Sequence, residues 1–98
     1  MGAPTTADEA FIAAAPRLHP ETRAGYVAHL EAALAKRLEI MRGQGVPEDM
    51  LGEVRAFFLA HPFEAIAART GDPNGPVLAA RWNKGWRPLY ERCMAARP

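Results

Sequence analysis

One cysteine in 98 residues excludes an internal disulfide framework and any cysteine-rich zinc site. No apolar run approaches the ~20 residues that span a bilayer, so no membrane partner is expected. The opening Met-Gly-Ala-Pro-Thr-Thr lacks the basic and apolar regions of a signal peptide. The expectation is a cytoplasmic protein. β-Branched residues are also scarce, with 4 Val and 3 Ile, which argues against a sheet. Neither sign of charge dominates, because 12 Lys and Arg stand against 11 Asp and Glu. That balance disfavours disorder.

What the chain has in excess is alanine. Twenty residues are Ala, whereas Val, Ile, Leu and Phe together number 19. Alanine is the best helix former. A core this lean implies close helix contacts or help from a partner. The expected fold class is therefore all-α, with residues 1–98 forming one domain and residues 1–5 a loose tail.

Helix signals divide the chain into five or six elements. Thr6-Ala7-Asp8-Glu9 reads as a capping box opening a helix that stops before Pro16. Pro20 and Glu21 open a long helix over 20–43, with Gly43 or Gly45 as its end. Tyr26, Leu30, Leu34, Leu38 and Met41 form its apolar stripe, widened by Ala33 and Ile40. A short loop leads into a helix over 47–60, expected antiparallel to the long one. Its stripe is Met50, Leu51, Val54, Phe57 and Phe58. His61-Pro62 interrupts the pattern, and a short helix runs from Pro62 to Gly71. Residues 71–76 read as a loop. The last segment carries Leu78, Trp82, Trp86, Leu89 and Cys93 in helical phase. Gly85 and Pro88 weaken one turn of it, so two short helices meeting near Arg87 are expected.

Charge is distributed unevenly. Residues 77–98 carry five cations against Glu91, a net +4, and residues 1–76 carry a net −3. The basic segment holds aromatics among its cations. Arg81, Lys84, Trp86, Arg87, Tyr90 and Arg92 therefore form the expected partner-binding set, since Trp, Tyr and Arg dominate contact hot spots. The two-signed layout also suggests self-association, as a homodimer. The same composition over residues 81–92 suits nucleic acid as an alternative partner, although the overall pI of about 8.0 does not make it the default. Trp82 is expected in the core and Trp86 at the surface.

No catalytic or metal-binding constellation stands out, and no cofactor is expected. His19, His29 and His61 lie outside any metal-ligand spacing. Asp8-Glu9 and Glu48-Asp49 fall in first turns, where the helix dipole explains them. Cys93 lies on an apolar phase, as a small buried hydrophobe would. A third reading places a small-ligand pocket near Tyr26, His29, Phe57, His61 and Trp82. The leading reading is a non-enzymatic adaptor, regulator or accessory subunit.

Overall fold

The computed structural model describes residues 4–70 and 74–98, with side chains omitted at 68–70. It is all-α. The elements are α1 (Ala7–Ala14), α2 (Pro20–Gly43), α3 (Glu48–Ala60), α4 (Pro62–Thr70) and α5 (Gly75–Ala95).

Each boundary has a local cause. Thr6 caps α1 by accepting from the Glu9 N–H at 3.1 Å. The Glu9 carboxylate reaches one residue further back than a capping box would. It accepts from the Thr5 N–H at 2.9 Å and from Thr5 Oγ1 at 2.7 Å. The Thr5 amide first, and then its hydroxyl, hold Glu9 below the usual carboxylate range. That contribution is present above the ordinary carboxylate pKa and is lost as pH falls through the depressed value. Thr5 also receives the Arg55 guanidinium on its carbonyl at 2.7 Å, so the expected loose tail is anchored at this residue. Residues 1–3 lie outside the described structure.

His19 caps α2, its Nδ1 accepting from the Glu21 N–H at 3.3 Å. At the other end Gly45 takes φ +93°, the left-handed conformation that favours glycine. Val46 N–H then bonds to the Met41 carbonyl and Gly45 N–H to that of Arg42, both at 3.1 Å. With Met41 and Val46 both buried, this is a Schellman motif with its apolar contact. Arg42 and Glu48 form an ion pair across the same loop at 2.8 Å. His61, kept out of the α region by the following proline at φ −132° and ψ 59°, separates α3 from α4.

The core is one cluster drawn from all five helices and the α2–α3 loop. From α2 it takes Leu30, Ala33, Leu34 and Met41, with Tyr26, Val27 and Leu38 packed at its edge. Ile40, expected to widen this stripe, is 42% exposed. It lies on the flank of the helix, away from the Leu30–Met41 line. From α3 the core takes Met50, Leu51, Val54, Phe58 and also Leu59.

The C-terminal segment departs most from expectation. It is a single helix, and Pro88 lies inside it. Gly75 and Pro76, read as loop, are its first turn, while 71–73 lie outside the described residues. Pro88 removes one backbone bond to the Lys84 carbonyl. Both residues are exposed, so water can satisfy that carbonyl. Trp82, Leu89 and Cys93 remain buried on both sides of the proline, and their burial outweighs the lost bond.

Gly85 does not break α5. It is where α5 and α3 approach closely. A Cβ at position 85 would stand 2.8 Å from Phe57 Cε2 and 2.9 Å from Cζ. Gly85→Ala is therefore expected to destabilise, because an overpacking cost of about 1–3 kcal/mol exceeds the ~1 kcal/mol gain in helix propensity. Gly25, in α2, has nothing within 4 Å of such a Cβ. Gly25→Ala should stabilise by about 0.5–1 kcal/mol. Denaturant melts of the two variants check the contrast. Replacing Phe57 by Leu should relieve the Gly85→Ala penalty, as coupled neighbours do.

Candidate functional site

The aromatic residues fall into two separate groups. Phe11, Tyr26 and Phe63 make one, tying α1, α2 and α4 together. Phe11 stacks on Tyr26 at 5.5 Å, and Phe63 meets Phe11 and Tyr26 edge-on at 5.2 and 5.5 Å. The second group runs along the contact of α3 with α5. His61, Phe57, Trp82, Trp86 and Tyr90 follow one another with ring centroids 4.6 to 6.1 Å apart. Phe58 stands edge-on to both tryptophans, at 4.9 and 5.9 Å. Such edge and offset arrangements suit the ring quadrupoles.

This division distributes the residues of the expected ligand pocket between the two groups and the α2 surface. Phe57, His61 and Trp82 do come together, with the Phe57 ring against the other two. Tyr26 belongs to the other group, and His29 is exposed on α2. Position 29 follows Tyr26 by one turn, at the exposed edge of the α2 stripe.

Trp82 is 9% exposed and belongs to the core, as expected. Trp86 is half-buried and stacks on Trp82 at 5.5 Å with an interplanar angle of 20°. The Arg37 guanidinium of α2 lies over it, 5.6 Å from the ring centre, within cation–π range. Tyr90 is likewise half-buried against the core. Both rings therefore support packing as well as contributing to the surface.

The cations divide by partnership. Arg92 pairs with Glu53 of α3, Arg23 with Asp8 at 2.9 Å, and Arg42 with Glu48. Arg81, Lys84 and Arg87 are exposed and make no ion pair among the described residues. Arg81 lies on the flank of α5 that carries Gly85, Pro88 and Arg92, and Lys84 and Arg87 lie on the side opposite the buried Trp82–Leu89–Cys93 line. Glu91 is the acid on that side. The six expected partner-binding residues thus separate into three free cations, two half-buried rings and one cation bound to Glu53.

Beside this face, between α3 and α5, lies an open hollow of about 380 Å³. Ala56, Phe57 and Leu89 supply apolar surface to it, Gly85 and Pro88 form its α5 side, and Glu53 and Arg92 stand at its rim. Sequence reasoning missed it, because it depends on Gly85 meeting Phe57 across 28 positions. Two smaller hollows of about 250 Å³ border the other side of α3.

Cys93 is fully buried and free. Burial first, and then the Glu53 carboxylate, push its thiol above the ordinary value, against a smaller opposing pull from Arg92. A neutral, enclosed thiol is a poor nucleophile. Cys93 should react with an aromatic disulfide reagent at neutral pH only at the rate of unfolding, and immediately in denaturant. A fast native reaction would contradict this packing. Among the described residues, no group of three or more His, Cys, Asp or Glu is placed to hold a metal ion. No helix among them is long and apolar enough to cross a membrane. Comparison with protein-family models, with curated proteins and with solved structures finds no match to this chain.

Proposed function

We propose that this chain is a non-enzymatic helical interaction protein, an adaptor, regulator or accessory subunit, that meets a partner protein through the outward face of α5. The observation that carries the reading is the row Arg81, Lys84 and Arg87, exposed and, among the described residues, without ion pairs, with the half-buried rings of Trp86 and Tyr90 next to its Arg87 end. Unpaired Arg beside partly exposed Trp and Tyr is the composition of a contact anchor. Several of the groups that could do chemistry are occupied otherwise. Asp8, Glu48 and Glu53 are in ion pairs, Glu9 holds Thr5, His19 caps α2, and Cys93 is enclosed.

A nucleic-acid partner has less support. Single-strand binding uses open aromatic faces on which bases stack. Here Trp86 is engaged by Trp82, Phe57, Phe58, Tyr90 and Arg37. A photo-crosslinking residue placed at 84 or 87, with a control at the exposed Ala32 of α2, tests the reading in cells. Discrete protein adducts from 84 and 87 and none from 32 are expected. Adducts lost on nuclease treatment would transfer the face to nucleic acid. An adduct of twice the chain's own mass would make the contact a homodimer. No adduct from either α5 position would overturn the proposal.

A further inference from the structure

The hollow between α3 and α5 has a bordering charge pattern that restricts what can fill it. Its interior is apolar, from Ala56, the Phe57 ring edge and Leu89. On the α5 side the residues spaced one turn apart are Arg81, Gly85, Pro88 and Arg92. Lys84 lies next to this row, and it and Arg81 are exposed without an acid paired to them among the described residues. On the α3 side Glu53 is already neutralised by Arg92. Asp49 lies further along α3, in its first turn, where the helix dipole stabilises it. A second hollow, lined by Gly52, Arg55, Ala56 and Leu59, shares Ala56 with the first. The surface is therefore continuous across α3, and at the crossing its side chains are the smallest available, at Gly52 and Ala56. An approaching backbone can come close there.

We infer that this trough receives an acidic amphipathic helix of the partner protein. Its aliphatic side chains would seat against Ala56, Phe57 and Leu89, and its carboxylates would face Arg81 and Lys84. The mode is a helix laid in a groove, with apolar anchors one turn apart. The inference rests on the α5 reading above and specifies the partner's chemistry. A nucleic-acid strand has no aliphatic side chain to fill the hollow. A second copy of this chain offers the exposed acids Glu21, Glu31 and Glu39 on α2, with mostly alanine between them, and the exposed Ile12 on α1, whose neighbouring acids Asp8 and Glu9 are already engaged by Arg23 and Thr5.

The test uses a fluorescent 20-residue helical peptide with Leu at positions one turn apart and Glu on the remaining face. Controls are the same peptide with Ser for Leu, the same with Lys for Glu, and a 20-base-pair DNA duplex. Protein variants are Ala56→Leu, which fills the hollow from an exposed position, and the triple change Arg81→Glu, Lys84→Glu, Arg87→Glu. The acidic Leu peptide should bind the unaltered chain. Ala56→Leu, the triple variant and the Ser peptide should each weaken binding at least tenfold, with both protein variants melting as the unaltered chain does. The Lys peptide should not bind. If Ala56→Leu and the Ser peptide bind as well as the originals while the triple variant does not, the trough is not the seat, and α5 remains a charged contact face. Absence of acidic-peptide binding, or equal binding by the duplex, overturns the inference. Failure of crosslinking at 84 and 87 would instead remove the α5 reading beneath it.

Discussion

Trp82→Ala is expected to remove about 3–5 kcal/mol of stability, the range for emptying a large aromatic site. The side chain is 9% exposed and lies 4.6 Å from Phe57, 4.9 Å from Phe58 and 5.5 Å from Trp86, centroid to centroid. Deleting it opens a void at the contact of α3 with α5. Domains of this size hold only about 5–15 kcal/mol in all, so the change claims a large share of the total. In a thermal melt it corresponds to a fall of at least ~12 °C. Where the Ala variant does not fold, Trp82→Phe retains a ring and should show the same direction with a smaller drop. Trp86→Ala should cost about 1–2 kcal/mol, within the usual range for a half-buried side chain. Sequence reasoning expects that change to be nearly neutral, because Gly85 and Pro88 appear there as helix breakers around a surface turn. The unbroken helix and the contacts of Trp86 with four rings and Arg37 make it a packing residue as well. Equal losses from the two variants would mean that the faces of α5 are not divided as described.

The second large effect belongs to Phe11. Its side chain is fully buried between Tyr26 and Phe63, and it is the main apolar anchor of an eight-residue helix. A helix that short is not stable in water alone. Phe11→Ala should therefore cost about 3–5 kcal/mol, and most of it locally, through release of α1. Hydrogen exchange distinguishes the two forms of loss. Amides of residues 10–14 should lose protection while those around Val54 and Phe58 keep theirs. Uniform loss of protection across α1 and α3 would show that α1 is part of the cooperative unit. The Arg23–Asp8 and Arg55–Thr5 contacts are exposed, and such contacts contribute little. They cannot hold α1 in place of the ring.

The helices were legible where the signals are local. The Thr6 and His19 caps, proline at helix starts, Gly45 after α2 and the apolar stripes of α2 and α3 follow from residues within a few positions of one another. The same holds for the buried phase of Trp82, Leu89 and Cys93, which survives Pro88 in both sequence and structure. Illegible features depend on distant neighbours. Gly85 resembles a helix breaker until Phe57 is known to lie against it. Arg92 counts as a free cation until α3 brings Glu53 beside it, 39 positions away. Arg37 meets Trp86 across 49 positions, and nothing in either local sequence marks that contact. Tyr26 and Trp82 look like one aromatic set in the sequence because pattern alone cannot assign rings to opposite ends of a core. The cationic face of α5 was visible as a charge excess. That Arg81, Lys84 and Arg87 are its unpaired members required the fold.

α5 is one helix with a core face and, as proposed, a separate cationic contact face. The most direct measurement combines stability and contact in the Arg81→Glu, Lys84→Glu, Arg87→Glu variant. Its melting temperature should stay close to that of the unaltered chain, because the replaced residues are exposed and, among the described residues, make no ion pairs. Crosslinking from a photoreactive residue at the neighbouring exposed position 91 should at the same time be lost. A variant that melts as before and crosslinks as before, or one that unfolds, would contradict this division of α5.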